Sequence, residues 1–99
     1  MTTYIEGTYL LAKDISNFDE YQKAHKKAIE GTVDLANEHE IDVQFAEKDN
    51  CFIVDYEIVR ENYTACKNIL TDLQSVLRAG WGKIEHLNQS SGDYIPPRS

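Results

Sequence analysis

The sequence predicts a single α+β domain in which two helices cover one face of a four-stranded antiparallel sheet. Two observations predict this fold class. Apolar residues recur at the helical period in two segments, and they alternate with other residues in four segments around those two. In chain order the segments are strand, helix, strand, strand, helix and strand, the split βαβ order of the ferredoxin-like fold. A chain of 99 residues is long enough for one such core.

The first strand and the first helix follow from residues near the start of the chain. Residues 3–12 are rich in β-branched and aromatic types and alternate loosely, which predicts a strand. Asn17 and Glu20 have the spacing of a capping box, so a helix is predicted over about residues 17–38. Its apolar face, at spacings of three and four, contains Phe18, Tyr21, His25, Ala28, Ile29, Thr32, Leu35 and Ala36. Gly31 is expected to loosen this helix.

A hairpin is predicted next, because apolar side chains alternate in residues 41–46 and again in residues 51–59. Asn62 is the expected cap of the second helix, whose apolar residues keep the helical period until Gly80. A left-handed helix cap is expected at Gly80, since glycine adopts that conformation without strain.

The end of the chain is predicted to contain one short strand and a tail. Residues 83–89 can form the fourth strand, and residues 90–99, with one glycine and two prolines, are typical of an extended segment. The predicted organisation is therefore one ferredoxin-like domain over residues 1–89 and an extended C-terminal tail over residues 90–99.

The net charge of −7 lies in one segment, residues 34–61. That segment holds nine acids and two bases, whereas eight acids and eight bases balance in the rest of the chain. Charge held on one side of a small protein attracts a basic partner and repels nucleic acid and anionic lipid. We therefore expect a basic protein partner and no direct binding to nucleic acid or membrane. The N-terminus has no signal-peptide pattern, which predicts a cytoplasmic location.

Strand parity predicts where the carboxylates of this segment point. Because successive side chains alternate across a strand, the more apolar parity of each strand should face the helices. The other parity turns acids of strands one, two and three onto the uncovered face, and the acids of the hairpin turn are expected in the same field. The predicted partner-binding residues are Glu6, Asp42, Glu47, Asp49, Asp55 and Glu57.

These features predict a small, non-catalytic protein that blocks a basic, nucleic-acid-binding protein surface by charge mimicry. Immunity proteins, antitoxins and phage-encoded inhibitors are the kinds of protein meant. No cofactor or metal site is predicted, since the two cysteines lack CxxC spacing and the histidines lack ligand spacing. Glu6 and Asp49 are the nearest equivalents of the metal-binding carboxylates of polymerase palm domains, but the turn sequence of those sites is missing.

Two further functions fit the same element order. The strand Phe52 to Val59 followed at once by a helix, together with the spacing of Phe18, Tyr21 and His25, resembles the small monooxygenase-type proteins. This resemblance implies a dimeric α+β barrel, with a homodimer formed through the open sheet face, and a small-molecule enzyme or ligand-binding protein. A structural assembly subunit is the third alternative. An open antiparallel face is also often polar for solubility alone.

Overall fold

The predicted fold is confirmed by a computed structural model, which describes residues 2–13, 17–48, 50–81 and 83–94. Within these ranges the elements are β1 (Thr3–Ala12), α1 (Phe18–His39), β2 (Asp42–Glu47), β3 (Cys51–Arg60), α2 (Tyr63–Gly80) and β4 (Ile84–Asp93). The strands of the described residues form one antiparallel sheet in the order β2-β3-β1-β4. The domain is therefore ferredoxin-like.

Both helices begin at the predicted asparagine caps. The side-chain oxygen of Asn17 accepts hydrogen bonds from the backbone N–H groups of Asp19 and Glu20, and that of Asn62 accepts one from Ala65. These bonds satisfy amide groups that have no partner within the helix. At its other end α1 stops at Glu40, which adopts the left-handed conformation with φ of 54°.

The prediction of a left-handed helix cap at Gly80 is wrong. No glycine among the described residues has a positive φ, and the chain leaves α2 through Trp81 in an extended conformation. Gly80 instead lies against α1, where a Cβ atom would stand 3.2 Å from the carbonyl oxygen of Ala24. Gly31 has the same role on α1, since a Cβ there would stand 2.7 Å from Cγ1 of Val76. The two glycines allow the helices to pack closely, and α1 remains continuous through Gly31.

The core lies between the helices and one face of the sheet. The predicted inward parity of the third strand is confirmed, because Phe52, Val54, Tyr56 and Ile58 are all buried. The indole N–H of Trp81 donates to the carbonyl oxygen of Ala12 at 2.6 Å, which joins the end of α2 to the end of β1. The other buried apolar side chains are Ile5, Tyr9, Leu11, Ala28, Leu35, Ile41, Cys66, Ile69, Leu70, Leu73 and Leu77.

The last strand is longer than predicted. Residues 90–93 are part of β4 and not of a tail, and they pair with β1 from Glu6 to Thr3. The strand continues because Asn88, with φ of 55°, forms a β-bulge where the register shifts between Glu6 and Thr8. Beyond the bulge, serine and glycine continue the strand because the hydrogen bonds to β1 are made by backbone groups, which every residue except proline supplies in full. Residues 95–99 lie outside the described part of the chain.

The helices leave one face of the sheet uncovered. On that face β1 displays Glu6, Thr8 and Leu10. The outward residues of β3 are Cys51, Ile53, Asp55, Glu57 and Val59. In the residues that the structure describes, neither helix is long and apolar enough to cross a membrane.

Candidate functional site

Three carboxylates form one row across the uncovered face. Glu57 of β3 lies directly opposite Glu6 of β1 on one side and Asp42 of β2 on the other. Side chains directly opposite one another in antiparallel strands have Cβ atoms about 4.5–5.5 Å apart, so each acid has a like charge as its nearest cross-strand neighbour. We call Glu6, Glu57 and Asp42 the acidic row.

A second row adds one more carboxylate. Asp55 lies opposite Thr8 of β1 and Gln44 of β2. The Thr8 hydroxyl donates to a carboxylate oxygen of Asp55 at 2.6 Å, and the Ser90 hydroxyl donates to Glu6 at 3.2 Å. Two of the four carboxylates, Asp55 and Glu6, thus accept hydrogen bonds from neutral hydroxyl groups, which leave their negative charge uncompensated. The acidic row together with Asp55 is called the acidic face.

The two ion pairs found between described residues join Lys13 to Glu47 and Lys26 to Glu30. Neither pair includes a member of the acidic face.

The acidic face is accessible and slightly concave. Glu6, Asp42 and Asp55 are exposed and Glu57 is half-buried. A hollow of about 330 Å³ is lined by Asp42, Gln44, Asp55, Tyr56 and Glu57. A neighbouring hollow of about 280 Å³ is lined by Glu6, Gly7, Thr8, Asp55, Tyr56 and Asn88. Asp55 lies between the two hollows, so a cationic side chain in either one would have a carboxylate within reach.

Glu47 does not join the acidic face. It is the last residue of β2 and points to the helix side of the sheet, where its carboxylate lies 2.9 Å from Nζ of Lys13. The hydroxyl of Tyr21 also donates to it at 2.8 Å. The hydrogen bond from Lys13, followed by that from Tyr21, lowers the pKa of Glu47 below its ordinary value. Asp49, the other acid predicted in the hairpin turn, lies outside the described residues.

The helix-facing side of the sheet holds a polar cluster that the sequence analysis missed. The hydroxyl of Tyr56 lies 2.6 Å from Nε2 of His86, and the rings of Tyr9 and His86 stack with centroids 4.3 Å apart. Burial raises the pKa of Tyr9 to about 12 and also raises the pKa of Tyr56. Burial, and then the charge of Lys67, lowers the pKa of His86. At neutral pH the cluster is therefore uncharged.

Gly7 is the sequence signal that could have revealed this cluster. It interrupts a strand of large residues, and a Cβ atom there would stand 2.7 Å from the hydroxyl oxygen of Tyr56. Glycine inside a strand often marks such a close approach. The face of His86 was hidden because Ile84 and Leu87, the apolar residues of the predicted fourth strand, have opposite parity.

Comparisons with known proteins identify the fold and no relative of known activity. No protein family matches the chain, and no curated protein matches it. Among solved structures the chain is similar to a de novo designed protein, Foldit4, with a TM-score of 0.58 at 9% identity over 96% of this chain and 100% of that chain. A second designed protein, Ferredog-Diesel, has a TM-score of 0.44 at 20% identity over 89% of this chain and 85% of that chain. The likeness to Foldit4 shows the fold alone, and this fold carries many unrelated functions.

The arrangement of the acidic face suits binding by charge. Within the described part of the chain, no three His, Cys, Asp or Glu side chains are placed to hold one metal ion together. Carboxylates spread over three neighbouring strands can instead accept hydrogen bonds from several separate Lys or Arg side chains.

Proposed function

We propose that this chain is a non-catalytic, cytoplasmic protein that binds a basic protein surface through its acidic face. The observation that carries the proposal is the acidic row, in which Glu57 is flanked by Glu6 and Asp42 and the next row adds Asp55. Lysine or arginine on a partner would occupy the hollows beside these carboxylates.

The acidic row lowers the stability of the isolated sheet. Opposing pairs on neighbouring strands change stability by about 0.2–1 kcal/mol each, and like charges are unfavourable. One lysine in this row would remove the repulsion and keep the face polar. Departures from such local rules concentrate at functional sites, which supports a role in binding over a role in solubility alone.

The proposed partner is a protein whose basic surface normally binds nucleic acid. Carboxylates on one strand repeat about every 6.8 Å and neighbouring strands lie about 4.8 Å apart, which gives a regular array of negative charge. A surface that accepts a phosphate backbone through Lys and Arg can accept such an array instead. Occupying that surface blocks it, as an immunity protein, antitoxin or phage-encoded inhibitor does.

The test compares two double charge reversals with the same net charge. Asp55→Lys with Glu57→Lys changes the acidic face, whereas Asp34→Lys with Glu38→Lys changes exposed acids of α1 in the helix layer. Each tagged variant is used to capture partners from an extract of the source cell, and the captured proteins are identified by mass spectrometry. We expect the first variant to lose partners that the parent captures and the second to retain them.

Two controls complete the design. Circular dichroism and urea unfolding should show that both variants remain folded, because the exchanged side chains lie outside the core. Capture by the parent should also fall with salt, since the screening length shrinks from about 10 Å at 0.1 M to about 3 Å at 1 M. Unchanged capture by the Asp55→Lys, Glu57→Lys variant would contradict the proposed function.

A further inference from the structure

The uncovered face is acidic at its centre and apolar at one end. Beyond the row of Thr8 and Asp55, the next outward residues are Leu10 of β1 and Ile53 of β3, which lie opposite each other. Ala12 and Cys51 form the pair after that. All four are half-buried although α1 and α2 both pack on the other side of the sheet.

A hollow lies at this apolar end. Its volume is about 490 Å³, and it is lined by Leu10, Ala12, Asn50, Cys51, Lys83, Ile84 and Glu85. The volume falls within the range of about 300 to 1,000 Å³ that binding pockets occupy in proteins. Apolar contacts in such a hollow strengthen binding, whereas the carboxylates beside it make binding specific for a cationic ligand.

The strand register fixes the distances between the hollow and the carboxylates. Outward residues on one strand repeat about every 6.8 Å. Measured along the strands from Leu10, Asp55 therefore lies about 7 Å away and the acidic row lies about 14 Å away. Lys83 and Glu85 both line the hollow, so the excess of negative charge on the face lies at the carboxylates and not at the hollow.

We propose that the uncovered face binds one segment of the basic partner, in which an apolar side chain fills the hollow and two cationic side chains reach the carboxylates. This inference rests on the proposed function and specifies the partner chemistry. On a helical segment, cations four and eight residues from the apolar side chain lie about 6 and 12 Å away on the same face. Flexible Lys and Arg side chains span the remaining distance to Asp55 and Glu57.

Charge complementarity favours this occupant over a second copy of the chain. Two copies packed by their uncovered faces would place each acidic row against the other row or against the other hollow. The first arrangement adds repulsion between chains that each carry a net charge of −7. The second places each acidic row over a hollow that Glu85 lines as well as Lys83, so the carboxylates meet no net positive charge there.

The test uses two synthetic helical peptides of identical composition and charge. In the first, arginines stand four and eight residues after a leucine, on the same face. In the second, the same arginines stand two and six residues after it, on the opposite face. Binding to the full chain is measured by calorimetry at low salt, with amide chemical shifts to locate the contact. We expect the first peptide to bind about tenfold more tightly, because only it can bury its leucine while pairing its arginines.

Matched variants of the chain separate the hollow from the charge. Leu10→Thr should remove the tenfold advantage of the first peptide, whereas Val59→Thr should preserve it. Val59 is also half-buried on the uncovered face, but it lies on the other side of the acidic row. Asp55→Asn with Glu57→Gln should weaken both peptides.

The outcomes distinguish this inference from the proposed function. Equal binding of the two peptides, both weakened by Asp55→Asn with Glu57→Gln, overturns the inference and supports the proposed function. Binding that is unaffected by that variant, or no binding of either peptide, overturns both. A dimer of the free chain that Leu10→Thr dissociates shows that a second copy fills the hollow, which also overturns the inference.

Discussion

At the scale of single residues, Gly7 determines how the helix-facing side of the sheet is packed. Tyr56 extends across β1 at Gly7, and its hydroxyl oxygen reaches Nε2 of His86 on β4. The side chain thus links β3 to β4 over the intervening strand. Any side chain at position 7 would occupy the path of the Tyr56 hydroxyl.

Gly7→Ala is expected to lower the free energy of unfolding by about 1–3 kcal/mol, the usual cost of inserting a methyl group into a packed site. Gly92→Ala is the matched control, because its Cβ atom would stand 3.5 Å from the ring of Tyr4, an ordinary contact. That control should be neutral or stabilising by about 0.4–1 kcal/mol, since alanine restricts the unfolded chain. Urea unfolding measures both. A Gly7→Ala variant as stable as the parent would contradict the placement of Tyr56.

At the scale of elements, the close contact of α1 and α2 depends on glycine on each helix. Gly31 faces Val76, and Gly80 faces Ala24 and Ala28. Glycine weakens a helix by about 1 kcal/mol relative to alanine. The packing of the two helices against each other offsets that cost.

Gly31→Ala should therefore have opposite effects in two backgrounds. In the parent the new methyl group meets Cγ1 of Val76 at 2.7 Å, and we expect the strain to exceed the gain in helix propensity and to lower the free energy of unfolding. In a Val76→Ala background the methyl group has room, and Gly31→Ala should raise the free energy of unfolding by up to about 1 kcal/mol. A double-mutant cycle of thermal unfolding measures the coupling. Additive effects of the two substitutions would contradict the contact.

Local patterns in the sequence were sufficient for the element order and for most of the faces. Helical and alternating periods are local properties, and so are the caps at Asn17 and Asn62. Parity alone also places Asp42, Asp55 and Glu57 on one face, because each lies inside a regular strand.

The features that the sequence analysis missed depend on partners far away in the chain. Glu47 is held by Lys13 and Tyr21, which only the folded chain brings to it. The role of Gly80 depends on α1, and the length of β4 depends on a register shift opposite Gly7. The hollow beside Leu10 likewise forms only where β1, β3 and β4 meet.

At the scale of the whole molecule, the four carboxylates of the acidic face lie together on one side of the sheet, and we expect them to produce a directed field. Such a field accelerates encounter with a basic partner and also repels the chain from itself. The same carboxylates are therefore expected to promote binding and to reduce folding stability.

Glu57→Gln should raise the free energy of unfolding by a few tenths to about 1 kcal/mol, because Glu57 lies between two like charges. The difference from the parent should shrink as salt rises from about 0.1 M to about 1 M. Glu61→Gln is the control, since this exposed residue follows β3 outside the sheet and should change stability by less than about 0.5 kcal/mol. Chemical denaturation at both salt concentrations measures these values. A destabilised Glu57→Gln variant would show that the acidic row is not repulsive.

The bulge at Asn88 also affects how the sheet meets other molecules at its edge. β4 is ten residues long and forms one edge of the sheet of described residues, and unpaired backbone groups along such an edge are a template for fibril growth. The extra residue breaks the regular spacing of these groups and increases the local twist. A flat strand from another molecule could pair with only one half of β4 at a time, so the irregularity that lengthens this strand also protects the chain against edge-to-edge aggregation.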